Sequence, residues 1–119
     1  MAQKFNSIET ELYTALKQGL PQIEDRIYPL VMPQDTKHDA VTFSFFSKRP
    51  RGSLGGCTWG EDSNVQIDIF CKDYIDSVKL SDEVIKVLKD SFTVSNLSTM
   101  DVFAKHTLKF RRIIDFKIL

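Results

Sequence analysis

The chain has little of anything that announces a chemistry. Among 119 residues there are two cysteines, two histidines and one tryptophan, and sixteen basic side chains balance sixteen acidic ones for a formal net charge of zero. Two cysteines, Cys57 and Cys71, are too few for a disulfide scaffold or a four-ligand zinc site. Cys71 continues the alternating row Val65, Ile67, Ile69 as a small buried hydrophobe does, and both thiols are expected free in a reducing compartment. His38 and His106 fall in predicted loops or at strand ends, without the spacing of HExxH or of paired CxxC motifs. There is no GxSxG, Walker or Rossmann pattern. The glycine-rich stretch 52–56 lacks the lysine and following helix that a phosphate loop needs. These absences predict a non-catalytic protein with no metal, cofactor or small-molecule substrate.

Zero net charge removes the main sequence-level reason to propose a general nucleic-acid or anionic-membrane binder. It also leaves self-association unopposed by charge repulsion. No apolar run approaches a bilayer span, and the first seven residues contain no apolar signal region. The expectation is a protein that stays in the cytoplasm where it is made. With 42% hydrophobic and 27% charged residues, the chain is too apolar to be disordered and too short for two ordinary domains, so residues 1–119 are expected to form one domain. A chain of this size buries roughly two-thirds of its unfolded surface and needs no staple.

The hydrophobic pattern supplies the elements. Ile8, Leu12, Ala15, Leu16 and Leu20 recur at helical spacing. A first helix is predicted from about Ser7 to Gln18, opened by Asn6 and Glu9 as a capping box and closed near Gly19 and Pro21. Prolines at 29 and 33 limit the stretch after Asp25 to a short edge strand or an extended arm. Ala40 to Phe46 alternates as a strand, as does Val65 to Lys72, and the two are expected to pair antiparallel around a long loop from Ser47 to Ser63. A second helix is predicted from about Tyr74 to Asp90, capped by Asp73, with Val78, Leu80, Val84, Ile85, Val87, Leu88 and Phe92 on its apolar stripe. Thr93 to Met100 shows no clear period, and Asp101 to Lys105 suggests a short strand. Leu108 to Leu119 carries apolar residues on both faces, as a strand in the middle of a sheet does. This order, without repeated β-α alternation, predicts an α+β domain with a mostly antiparallel sheet and two main helices packed on it.

Candidate contact residues concentrate in the predicted loop, which holds four of the five glycines. Lys48, Arg49 and Arg51 are either a solvated hairpin tip or a basic arm for an acidic protein surface or for phosphates. Trp59 either folds over the sheet edge or anchors an interface, where tryptophan is enriched. Arg111 and Arg112, with Asp115 close behind, read as partners in cross-strand ion pairs. Phe46 and Phe70 stand on the nominally wet faces of their strands, and on an open sheet face they would mark a subunit contact.

The ordered set Asp25-Arg26-Ile27-Tyr28-Pro29, Val65-Gln66-Ile67-Asp68-Ile69-Phe70, an amphipathic helix, and Phe110-Arg111-Arg112-Ile113-Ile114-Asp115-Phe116 resembles the tail-completion or tail-terminator family of long-tailed bacteriophages and prophages. The resemblance spans most of the chain. It implies a small α+β subunit that closes into a ring, expected to be a hexamer, on the end of a finished tail tube. Such a ring stops addition of tail-tube protein and presents a surface to the head-tail connector, with DNA only passing through its lumen. It further implies assembly in the host bacterial cytoplasm, a final place in the virion tail or neck, and no catalysis. Another neck or head-completion protein, or a bacterial adaptor or nucleic-acid-binding module using the basic loop, are the alternatives. The loop at 47–63 and the segment 93–105 match the family least.

Overall fold

The computed structural model describes residues 7–30, 39–50, 61–104 and 109–119. Helix α1 spans Ile8–Gly19. It begins at Ser7, whose hydroxyl accepts the amide of Thr10 at 3.2 Å. Ser7, one residue beyond the predicted Asn6, is therefore the cap, and Asn6 lies outside the described residues. Glu9 and Glu11 in the first turn and Lys17 in the last complement the helix dipole. Gly19 is the last residue of the helix and also its closest approach to the second one: a Cβ at this position would collide with the Val87 side chain. A short 3-10 turn, Pro21–Arg26, leads into strand β1, Ile27–Pro29.

Strands β2, Ala40–Pro50, and β3, Glu61–Cys71, form the predicted antiparallel hairpin. They are longer than predicted, because a bulge at Phe46 lets pairing resume from Ser47 opposite Asn64 to Pro50 opposite Glu61. The predicted seventeen-residue loop thus contains four further residues of β2 and three of β3. Helix α2, Tyr74–Ser91, follows. Asp73 takes the cap position as predicted, but its side chain makes no capping hydrogen bond, so only its charge helps the helix start. Strand β4, Val94–Ala104, replaces the predicted short strand with an eleven-residue one. Strand β5 is Lys109–Ile118.

The five strands lie in the order β1-β2-β3-β5-β4. β1 runs parallel to β2, and every other pairing is antiparallel. β5 slots between β3 and β4, so it is an interior strand, as its two apolar rows required. Both helices pack on one face. Leu12, Leu16, Leu20, Leu80, Val84 and Leu88 meet Val41, Phe43, Val65, Ile67, Ile69, Ile114 and Phe116 in a single core. The other face carries Gln66, Asp68, Phe70, Arg111, Ile113 and Met100, and no described helix covers it. The fold is α+β, a mostly antiparallel sheet with two main helices. No described helix is long and apolar enough to cross a membrane.

Candidate protein-interaction surfaces

Lys48 is a strand residue and not part of a free loop. Without the bulge at Phe46, strict alternation from Phe45 would send Lys48 to the helix-free face. The extra residue shifts the period by one, so Lys48 pairs with Ser63 and turns toward α1. There its ammonium forms an ion pair with Glu9 and lies 5.6 Å from the centre of the Phe45 ring. The hydrogen bond from Lys48 holds the Glu9 carboxyl below its ordinary value of 4.5, against the opposing effect of burial. Arg49 is likewise within β2, opposite Asp62. Arg51 and Trp59 lie outside the described residues, as do Cys57, His38 and His106. Phe46, the bulged residue, is 62% exposed.

Arg111 and Arg112 both make the expected cross-strand ion pairs, though with partners other than Asp115. Arg111 binds Asp68 of β3 at 2.7 Å on the helix-free face and covers the Phe70 ring. Arg112 points the other way and meets Asp101 of β4 at 3.2 Å. The Tyr74 hydroxyl donates to the same carboxylate at 3.2 Å. Tyr74 and Phe103 both pack on the Phe110 ring, with centroids 5.6 and 5.1 Å away.

Burial, followed by the nearby Asp39 carboxylate, pushes the Cys71 thiol up to about 12, which leaves almost no thiolate at neutral pH. Among the described residues no three His, Cys, Asp or Glu side chains converge as metal ligands do. A groove of about 360 Å³ runs between α1 and the β1–β2 edge, lined by Glu9, Thr10, Tyr13, Pro29, Leu30, Phe43, Ser44 and Phe45. The carboxylate among these lining residues, Glu9, is held by Lys48.

The sequence pattern singled out no residue of β4 as a contact residue. Met100, Val102 and Phe103 are 55%, 40% and 46% exposed, and β4 has a neighbouring strand on one side only among the described residues. A signal was present: residues 94–104 contain no proline, lysine or arginine and a single charge, Asp101. Edge strands of proteins that remain monomeric usually carry such guards.

No protein-family model matches this sequence, and no curated protein matches it. Among solved structures, a chain from the virion of a native gene transfer agent particle superposes with a TM-score of 0.69. The match covers 94% of this chain and 92% of that one at 11% sequence identity. At that identity the likeness is one of fold.

Proposed function

We propose that this chain is a structural subunit of a phage-type virion, and more specifically a tail-terminator or tail-completion protein. The observation that carries the reading is the end-to-end fold likeness to a chain of an assembled virion particle. The match covers nearly all of both chains, so the likeness extends over the whole architecture and not one fragment of it. The motif order that resembles tail terminators points the same way from the sequence alone. The exposed apolar edge of β4 beyond its bulge, from Ser98 on, supports it too, since assembling subunits leave such edges without prolines or basic guards.

In this reading the chain closes into a ring, with six copies expected, on the end of the tail tube. One surface fits the growing end and blocks further tube protein; the opposite surface takes the head-tail connector. The chemistry required is shape and edge complementarity in a heterologous contact that closes. DNA passes through the lumen, and a neutral subunit suits passage better than a basic one that would hold phosphates. Assembly takes place in the host cytoplasm, and the final location is the virion neck.

The test is deletion of the coding sequence in the particle-producing strain, followed by electron microscopy of the tails. Tails of uncontrolled length that lack heads, corrected by supplying the protein, are expected. Tails of normal length that fail to join heads would overturn termination in favour of another neck-completion role. Intact, infectious particles would overturn both.

A further inference from the structure

We infer that the outer edge of β4 pairs with the bare half of β2 in a second copy of this chain, extending the five-stranded sheet from subunit to subunit. Both edges are open among the described residues. β1 covers only Val41 to Phe43 of β2; the Leu30 amide bonds the Phe43 carbonyl at 2.8 Å, and Leu30 then turns into the left-handed region at φ 67°. Among the described residues no strand lies on the outer side of β2 from Ser44 to Pro50, and none lies on the outer side of β4.

The two edges differ in a complementary way. The bare half of β2 contains Lys48, Arg49 and Pro50, and basic residues at an edge oppose pairing of β2 with itself. β4 contains one charge, the acidic Asp101. Directions agree as well: successive antiparallel pairings leave β4 running opposite to β2, so a copy placed in the same sense beside β4 meets it antiparallel.

One register satisfies both faces. Placing Phe103 opposite Phe45 sets Val102 opposite Ser47 across the Phe46 bulge and Asp101 opposite Lys48. Phe103 then enters the groove beside Phe45 and Tyr13 on the helix side. Lys48 already holds one partner, Glu9, and Asp101 holds two, Arg112 and Tyr74, yet the Asp101 side chain is 42% exposed and that of Lys48 33% exposed. The carboxylate's remaining acceptor capacity and the ammonium's spare donors leave room for a further bond. Opposite charges and aromatic pairs directly across a strand pair are favourable. Because the two edges are different surfaces, the contact is heterologous and propagates until it closes. The inference deepens the ring reading by naming the surfaces that would build it.

The experiment uses the full chain with Cys57→Ser, carrying either Val102→Cys or Ser47→Cys. The two proteins are oxidised mildly, alone and mixed, and analysed without reductant. A disulfide between copies in the mixture, absent from either protein alone, is expected, since facing residues bring Cβ atoms about 4.5–5.5 Å apart. A mixture no more linked than a control with Lys79→Cys on the α2 surface overturns the pairing. So does self-linking of the Val102→Cys protein, which would mean β4 against β4. In sedimentation, Val102→Lys should weaken self-association about tenfold at an unchanged thermal midpoint, and a wild-type chain that stays monomeric at millimolar concentration also overturns it. The two readings fail separately. Linked copies with normal tail lengths on deletion would remove termination and keep the pairing; loss of length control without the link would do the reverse.

Discussion

Asp68 and Arg111 meet diagonally across β3 and β5, 2.7 Å apart, on the sheet face that no described helix covers. The carboxylate side chain is 12% exposed and the guanidinium 35%. The pair therefore lies between a surface bridge of little value and a buried one that is costly to break. Arg111→Ala should destabilise by about 2 kcal/mol, because it leaves the Asp68 carboxylate shielded from water without its cation and uncovers Phe70. Asp68→Asn in the same background should recover part of the loss. Chemical denaturation of the single and double variants measures the coupling; additive losses would show that the two side chains act independently.

The Lys48–Glu9 pair predicts a small pH dependence. Glu9 has its folded-state value lowered by the Lys48 hydrogen bond. Its contribution is therefore present above the unfolded value near 4.5 and is lost as pH falls through the lower folded value. Both side chains are partly exposed to solvent, which screens the pair, so the contribution is less than about 1 kcal/mol. Lys48→Met should flatten the acid side of the stability profile below pH 4.5 and leave the neutral-to-alkaline side nearly parallel to wild type. Thermal midpoints from pH 2 upward follow this.

Ser81 on α2 is fully buried, and its hydroxyl has no hydrogen-bond partner among the described residues. Ser81→Ala removes an unsatisfied polar group and improves helix propensity without adding volume. It should stabilise the protein by about 1 kcal/mol, read as a higher denaturation midpoint at an unchanged slope. A loss of stability would mean that the hydroxyl has a partner.

Gly19 is where α1 comes closest to α2. Gly19→Ala places a methyl group against Val87, and the overpacking should cost about 1–3 kcal/mol although alanine is the better helix former. Val87→Ala in the same protein opens the space and should restore part of the loss. Equal destabilisation by Gly19→Ala with and without Val87→Ala would locate the strain elsewhere.

Much of the architecture was legible because its information is local. Leu12, Leu16 and Leu20 at helical spacing, and Val65, Ile67, Ile69 and Cys71 at spacing two, each report a single buried face. The double apolar pattern of 108–119 likewise reported an interior strand. β4 was only partly legible. An edge strand with Met100, Val102 and Phe103 exposed on both faces has no strong contrast between wet and dry residues. Its bulge, with Asn96 at φ 55° and a register shift between Ser95 and Ser98, breaks what alternation there is.

The sequence alone therefore determined both helices, the cores of β2, β3 and β5, and which side of each is apolar, because burial and backbone preference act over a few residues. Tertiary structure alone decided what each segment lies against. The Phe46 bulge turned Lys48 from an expected loop cation into the partner of Glu9, and strand register paired Arg111 with Asp68 and Arg112 with Asp101. That β2 and β4 have open outer sides among the described residues is not written in their alternation, since a strand becomes an edge only when the sheet order gives it a neighbour on one side and none on the other.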